Sequence, residues 1–246
     1  MSHPFIQLID LYKSFDRNPV LKGVNLSIHQ GEITAVIGKS GTGKSVLLKH
    51  IIGLLTQDSG DLLIKGESLG DMSKKNRQGF HKEISYMFQD NALFDFLNVY
   101  ENIALPLTEK RPEPGPDIPE KVNEKMQVLG LEGTEKKYPS QLSGGMRKRV
   151  ALARALVTDP KAVLFDEPTT GLDPVRRNNI HNMIAEYQRQ FGFTAVIVSH
   201  DIPEIFEITQ HIAMLDNGKI IFEGTTEEIL HSHNATIDAF IRGKES

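Results

Sequence analysis

The sequence GKSGTGKS, residues 38–45, has the spacing of a loop that holds phosphate groups, G-x-x-x-x-G-K-[ST]. An apolar run at 32–37 precedes it and a helical pattern at 46–52 follows, which is the strand–loop–helix setting that the pattern requires. Glycine-rich backbone and a helix N-terminus direct N–H groups toward a bound anion. We therefore expect a nucleoside triphosphate to bind at Gly38, Lys39, Ser40, Gly41, Thr42, Gly43, Lys44 and Ser45.

Two side chains of the loop and two distant carboxylates could complete a triphosphatase site. Lys44 can reach the β- and γ-phosphates, and the Ser45 hydroxyl can ligate Mg²⁺. Asp166 and Glu167 end an apolar run that reads as a buried strand. An aspartate there can hold Mg²⁺, and an adjacent carboxylate can orient or deprotonate the attacking water. Two acids at a strand end could instead be solvated or cap a helix, but the phosphate loop favours hydrolysis.

Two further polar segments are candidates for contacts with phosphate. His200 follows a predicted strand, and in a parallel sheet the strand carboxyl ends converge on the ligand, although a lone histidine is usually structural. Ser143, Gly144 and Gly145 precede a predicted helix and form a second anion-binding N-terminus, unless they only cap the helix. One chain already has a complete phosphate cradle, so the second is most useful against nucleotide held by another copy. This arrangement predicts a dimer with ATP between the chains.

Several aromatic residues allow two interpretations. Phe15 precedes a predicted turn and could stack on a nucleobase, or it could be an ordinary half-buried strand residue. Phe94, Phe96 and Tyr100 lie in an apolar connector, where core packing is the default and an exposed docking surface is the alternative.

Composition excludes several classes of protein. With 39% apolar and 24% charged residues among 246, the chain resembles an ordinary globular protein that can bury an ample core. A net charge of −4 provides no basic field, so we expect no nucleic-acid partner. No apolar run approaches the length of a spanning helix, and the N-terminus lacks the pattern of a secretory signal. The absence of cysteine excludes disulfides and thiolate metal sites.

Strand and helix patterns alternate along the chain, which predicts an α/β fold with a mainly parallel sheet. We expect a single domain, 1–246, with an α/β core at 1–89 and 160–246 and an inserted helical subdomain at about 90–160. A proline-rich loop is predicted at 109–119. The predicted strands are 5–9, 20–28, 32–37, 61–65, 84–88, 162–167, 194–198, 212–215 and 219–222. The predicted helices are 46–52, 120–129, 147–157, 174–191, one capped by Thr225 and Glu228, and 235–241.

Taken together, these motifs resemble the ATP-binding subunits of ABC transporters over nearly the whole chain. In order, the sequence has counterparts of the adenine-stacking aromatic (Phe15), Walker A (38–45), the Q-loop (Gln89), the signature (142–146), Walker B (162–167), the D-loop (170–173) and the switch histidine (His200). The resemblance implies a P-loop fold, ATP and Mg²⁺ as ligands, and a homodimer.

The resemblance also implies particular roles for site residues. Glu167 would be the catalytic base, assisted by His200 and Lys44. Mg²⁺ would be held by Ser45, Gln89 and Asp166. Nucleotide contacts beyond the phosphate loop would come from Phe15, Gln89, Ser143, Gly144, Gly145 and Asp173.

The signature departs from the usual LSGGQ, because Met146 replaces glutamine. Together with the segment 88–107, this is similar to the Mla-type subclass, which implies phospholipid transport between the inner and outer membranes of Gram-negative bacteria. The implied partners are permease subunits docking near Gln89–Leu107, an MCE-domain lipid-binding protein and a small accessory protein. The implied location is the cytoplasmic face of the inner membrane. The alternatives are an importer ATPase for another solute and an ABC ATPase of cofactor assembly.

Overall fold

A computed structural model describes residues 4–89, 92–109 and 115–242 of the chain. The strands within these ranges are β1 (Ile6–Phe15), β2 (Asn18–Ile28), β3 (Ile33–Ile37), β4 (Ser59–Ile64), β5 (Glu67–Ser68), β6 (Ile84–Met87), β7 (Ala162–Asp166), β8 (Thr194–Ser199), β9 (His211–Asp216) and β10 (Lys219–Gly224). The helices are α1 (Lys44–Ile51), α2 (Lys74–Lys82), α3 (Val99–Thr108), α4 (Ile118–Val128), α5 (Gly144–Leu156), α6 (Pro174–Phe191), α7 (Thr226–Leu230) and α8 (Ala235–Ile241). Short 3₁₀ helices occur at Pro139–Gln141 and Glu204–Glu207.

The smaller of the two sheets is antiparallel, with strand order β2-β1-β4-β5. Its first hairpin turns at Asp16 and Arg17, which have positive φ angles of 48° and 66°. A two-residue turn with both φ values positive matches the twist of the flanking strands. The turn therefore pairs Phe15 with Asn18 at the tip of the hairpin.

The larger sheet has strand order β10-β9-β3-β8-β7-β6, and all of its strand pairs are parallel except the edge pair of β10 with β9. Every residue of β3, β7 and β8 is buried, as expected for a parallel sheet covered on both faces. Because β3, β8 and β7 are neighbours, their carboxyl ends meet at one edge.

Two apolar cores lie on opposite faces of the larger sheet, because successive side chains of a strand point to opposite sides. In β8, Val196 and Val198 belong to the core shared with the antiparallel sheet and α1. Ala195 and Ile197 belong to the core shared with α3, α4, α5 and α6. The sheet is thus fixed from both sides, which holds its carboxyl edge rigid.

The connection from β6 to β7 contains α3, α4 and α5. The buried Asn102 of α3 shapes the loop before this helix: its Nδ2 donates to the carbonyls of Phe94, Leu97 and Asn98, and its Oδ1 accepts from the Phe94 amide. The loop presents Phe94 and Phe96 to solvent, 42% and 75% exposed, whereas Tyr100 packs against the core. The two interpretations of these aromatics therefore apply to different residues.

The α/β class with a mainly parallel sheet is confirmed, whereas some local expectations were wrong or incomplete. The loop predicted at 109–119 ends earlier, because α4 begins at Ile118 and Pro119 lies in its first turn, where proline is tolerated. Helix α2 was not predicted, since Phe80 is its single buried residue and no apolar period marks it. β1 extends to Phe15 rather than ending at residue 9.

Some sequence expectations fall on residues 90–91 and 110–114, including Pro112 and Pro114, which lie outside the described residues. The boundaries of the helical subdomain stay a prediction. In the described ranges, none of the helices is both long and apolar enough to traverse a lipid bilayer.

Candidate functional site

The phosphate loop connects β3, a central strand of the larger sheet, to α1. Gly38, Gly41 and Gly43 have φ angles of 152°, 77° and 105°, which side-chain-bearing residues rarely adopt. A Cβ atom at Gly38 would also collide with the carbonyl oxygen of Leu215. Glycine is therefore required at Gly38 by both backbone conformation and space.

Lys44 folds back over this loop instead of pointing into solvent. Its Nζ donates to the carbonyls of Gly38 and Lys39, 2.9 Å each, and lies 3.7 Å from Glu167 Oε1. Burial lowers the pKa of the Lys44 ammonium, while the carboxylates of Glu167 and Asp166 act in the opposite direction. The geometry places a donor at the centre of the loop, where phosphate oxygens can accept from it.

Asp166, at the end of β7, receives a hydrogen bond on each carboxylate oxygen. Ser45 Oγ donates to Oδ1 at 2.7 Å, and Tyr86 Oη donates to Oδ2 at 2.6 Å. Burial, followed by the hydrogen bond to Asp166, raises the pKa of Tyr86 well above its ordinary value, so the phenol remains a donor. The structure brings Ser45 and Asp166 together, as predicted. The hydrogen bond from Tyr86 to Asp166 was not predicted.

The pair of Ser45 and Asp166 suits Mg²⁺, which prefers oxygen ligands and commonly takes one or two protein ligands together with phosphate and water. Within the part of the chain that the structure describes, no group of three His, Cys, Asp or Glu residues could hold a metal by itself. Gln89, two residues beyond β6, is exposed, so its amide is accessible.

Glu167 follows β7 in a left-handed backbone conformation, with φ of 47°. Such a conformation is strained for a residue with a side chain and is concentrated at functional sites. The Glu167 amide donates to the carbonyl of Val198 at 3.0 Å, which ties this turn to β8. Thr170 Oγ1 donates to Glu167 Oε2 at 3.0 Å. Thr170 was predicted only as the first residue of the D-loop counterpart, with no role in the site.

His200 follows β8 and faces Glu167, with 3.5 Å between His200 Nδ1 and Glu167 Oε2. The His200 side chain is 48% exposed, so it remains accessible to a ligand. Lys44, Glu167 and His200 therefore converge from three adjacent strand ends, as the parallel sheet predicts.

Asp201, the residue after His200, is the centre of a buried polar network that was not predicted from the sequence. The Asp201 carboxylate accepts from Thr169 Oγ1 on one oxygen and from Arg177 Nη1 at 2.7 Å on the other. Burial acts to raise the pKa of Asp201, but the hydrogen bonds from Thr169 and Arg177 prevail and lower it. His181 Nε2 lies 3.9 Å from Asp201. Burial lowers the pKa of His181, which favours the neutral ring.

A cavity of about 430 Å³ adjoins the phosphate loop and is lined by residues 19–20, Lys22, 39–42 and 216–218. Phe15 lies on the same hairpin as residues 19–20 and is 40% exposed, but it is not part of this lining. Lys13 Nζ lies 5.5 Å from the centre of the Phe15 ring. Stacking of a base on Phe15 stays a prediction.

The second predicted anion site lies elsewhere on the chain. Ser143 caps α5 by accepting from the Met146 amide at 3.3 Å, and Gly144 and Gly145 form the exposed first turn. These residues line a groove of about 540 Å³ beside α6, and no residue of this groove lines the cavity at the phosphate loop. Asp173 caps α6 by accepting from the Arg176 amide. Within one chain, the two predicted anion-binding helix ends therefore line different pockets.

A strand, a glycine-rich phosphate loop and an acidic terminus on another strand of the same sheet define a P-loop nucleoside triphosphatase. A family model described as ABC transporter matches residues 21–170. The chain belongs to this ABC transporter family, binds nucleotide and is an ATPase.

Three comparisons illustrate the relationship. The intermembrane phospholipid transport system ATP-binding protein MlaF of Escherichia coli K12 is 36% identical over 246 residues, covering 99% of this chain and 91% of MlaF. The probable ribonucleotide transport ATP-binding protein mkl of Mycobacterium leprae is 39% identical over 239 residues, covering 97% of this chain and 69% of mkl. A dimeric ATP-binding cassette solved in a post-hydrolysis state with ADP and Pi matches with a TM-score of 0.76 and 30% identity, covering 89% of this chain and 98% of that chain.

Proposed function

We propose that this chain is the ATP-hydrolysing subunit of a transporter that moves phospholipids between the inner and outer bacterial membranes. The observation that carries the ATPase mechanism is the placement of Glu167 between Lys44 and His200, 3.7 Å and 3.5 Å away. The lipid substrate is inferred from similarity to MlaF, whose length this chain nearly matches.

ATP is held by the phosphate loop. The backbone N–H groups of residues 38–45 and the Lys44 ammonium bind its phosphates, and Phe15 stacks on the base. Mg²⁺ would be held by Ser45 and Asp166, with Gln89 contributing; when bound, it neutralises charge on the phosphate oxygens. The contact between Ser45 and Asp166 supports this pairing of ligands.

Hydrolysis needs a base, and Glu167 accepts a proton from the attacking water. The water oxygen bonds to the γ-phosphorus as the bond from that phosphorus to the β–γ bridging oxygen breaks, which releases ADP and phosphate. His200 donates a hydrogen bond to the γ-phosphate. Thr170 holds the Glu167 carboxylate, which fixes the base while the substrate is bound.

The working unit is a homodimer. Ser143, Gly144 and Gly145 contact the ATP held by the other copy, and Asp173 lies at the same junction. Within one chain, the groove at residues 143–145 and the cavity at the phosphate loop share no lining residue. This supports the dimer, because one nucleotide could then contact both sites only if they came from two different chains. The similar cassette with ADP and Pi is itself described as dimeric.

This chain attaches to the transporter through permease subunits, which dock near Gln89–Leu107 at the cytoplasmic face of the inner membrane. The exposed rings of Phe94 and Phe96 lie on this segment, with 5.6 Å between their centres, and give it an apolar surface. An MCE-domain lipid-binding protein and a small accessory protein complete the complex.

A second candidate substrate is a ribonucleotide, because the mkl relative carries that name and has the higher identity, 39% against 36%. The phospholipid candidate is preferred since this chain covers 91% of MlaF but 69% of mkl. To separate them, the complex would be purified with its permease and tested with each substrate. Bound phospholipid and ATPase stimulation by phospholipid support the proposal, whereas stimulation by ribonucleotide alone contradicts it.

The role of Glu167 is tested by E167Q, which keeps the shape of the side chain and removes the base. We expect ATP affinity to remain within about threefold and turnover to fall by about 10²- to 10⁴-fold, the contribution of general base catalysis. The matched control is E227Q, which makes the same change at an exposed position on α7. Turnover of E167Q within threefold of the E227Q value would contradict the assignment.

A further inference from the structure

We propose that Tyr86 is a positioning residue that orients the Asp166 carboxylate and thereby strengthens Mg²⁺ binding in the nucleotide-loaded site. The inference rests on the metal role proposed above for Ser45 and Asp166. It adds a residue of β6 to the pair formed by Ser45 of α1 and Asp166 of β7.

The hydrogen bonds define what Tyr86 does. The two oxygens of Asp166 receive donors from different elements: Oδ1 from Ser45 at 2.7 Å and Oδ2 from Tyr86 at 2.6 Å. The terminal torsion of an aspartate is broad, so a single donor leaves the carboxylate free to turn. With Oδ2 held by Tyr86, Oδ1 stays directed toward Ser45, the other expected Mg²⁺ ligand.

Tyr86 is itself firmly placed. It pairs with Leu164 in the parallel register of β6 and β7, two residues before Asp166. Its ring packs against the core beneath the antiparallel sheet, and its centre lies 4.6 Å from the centre of the Phe88 ring. A tyrosine has only two side-chain torsions, so this packing leaves the hydroxyl little freedom. The phenol therefore provides a rigid donor.

The local charge explains why one hydroxyl has a large effect. Asp166 is only 9% exposed, so water contributes little to solvating its carboxylate. Hydrogen bonds to such a buried anion are short and charge-assisted, as both of these are. Residues that orient metal ligands in this way typically change metal affinity by about 10- to 100-fold when removed.

The test is Y86F, which retains the ring and removes the donor. Binding of a fluorescent, non-hydrolysable ATP analogue to the 246-residue chain would be measured in EDTA and then across a Mg²⁺ titration. The control is Y187F, which removes a phenol that donates to the carbonyl of Val128 at 3.1 Å, and S45A marks the loss of a metal ligand. Thermal unfolding would verify that each variant is folded.

For Y86F we expect affinity in EDTA to stay within twofold of wild type, while the Mg²⁺ concentration for half-maximal enhancement rises about 10- to 100-fold. Y187F should match wild type. An unchanged Mg²⁺ midpoint in Y86F, with a shifted midpoint in S45A, would overturn the role of Tyr86 alone. Equal weakening of Y86F in EDTA and in Mg²⁺ would also overturn it, because the effect would then be on nucleotide binding. If Mg²⁺ has no effect on wild type, the metal role of Ser45 and Asp166 fails instead.

Discussion

The network around Asp201 makes a quantitative prediction, because this carboxylate is 3% exposed and is held by two donors. D201N retains the shape of the side chain but removes its charge. A hydrogen bond to a charged group contributes about 1.5–3 kcal/mol, and breaking a buried ion pair costs about 3–5 kcal/mol. The Arg177 side chain is 26% exposed, so it can regain hydrogen bonds to water when the carboxylate is lost. We therefore expect D201N to lower the free energy of unfolding by about 2–3 kcal/mol, closer to the range for a charged hydrogen bond than to that for a buried ion pair.

A double-mutant cycle isolates the contact between Asp201 and Arg177. The variants D201N and R177M and their combination would be unfolded with urea and followed by far-ultraviolet circular dichroism, since the chain has no tryptophan. We expect a coupling energy of about 1.5–2.5 kcal/mol at pH 7, within the range for charged hydrogen bonds. A coupling below about 0.5 kcal/mol, the limit for independent sites, would refute the reasoning.

The pH dependence gives an independent test of the same contact. The hydrogen bonds of Asp201 lower its pKa in the folded state below the value in the unfolded chain, which is about 3.9. The unfolded state therefore binds more protons between these two values, so the stabilisation is full above about pH 4 and is lost as the pH falls toward the folded pKa. The stability difference between wild type and D201N should be constant from pH 8 to 5 and shrink below about pH 4. A difference that grows on acidification would contradict this assignment.

Three further outcomes follow from local geometry. G38A should weaken ATP binding at least about tenfold by calorimetry, because its Cβ would meet the Leu215 carbonyl and its φ would be strained by about 1–3 kcal/mol. N102A should lower the urea unfolding free energy by about 1–3 kcal/mol, since three loop carbonyls lose the donor that the buried Asn102 side chain provides. E223Q should lower the free energy of unfolding by about 0.2–1 kcal/mol at pH 5.5. The hydrogen bond to Glu223 raises the pKa of His211, so this stabilisation is present below about pH 6.5 and should fade as the pH rises through the folded pKa.

The phosphate loop and the strand-end residues could be predicted because their signals are local. The pattern at 38–45 is contiguous, and Asp166 and His200 each come at the end of a short apolar run. Parallel strands then place their carboxyl ends together without any knowledge of side-chain packing. This is why Ser45, Asp166 and His200 could be assigned to one edge before their distances were known.

The missed features have physical reasons of two kinds. Helix α2 buries only Phe80, so its sequence has no apolar period for pattern analysis to detect. Its capping residue, Ser73, accepts from the Asn76 amide, but a serine before a lysine pair is a weak signal without that period. The contacts of Asp201 with Thr169 and of Tyr86 with Asp166 join residues 32 and 80 positions apart. Such pairs depend on strand register, which the sequence does not specify.

These long-range contacts explain how the strand ends can act as a unit. Thr169 lies two residues after Glu167, and Asp201 directly follows His200, so their hydrogen bond joins the two turns that carry the proposed base and the proposed phosphate ligand. The Glu167 amide adds a backbone bond to Val198 within the same pair of strands. Ser45 is joined to this part of the site through its hydrogen bond to Asp166. Loss of the Asp201 carboxylate should therefore displace His200 relative to Glu167 and slow turnover, while the Mg²⁺ dependence set by Ser45 and Asp166 stays unchanged. Measuring both quantities in D201N separates the two parts of the site, and a shifted Mg²⁺ midpoint would show that they are not independent.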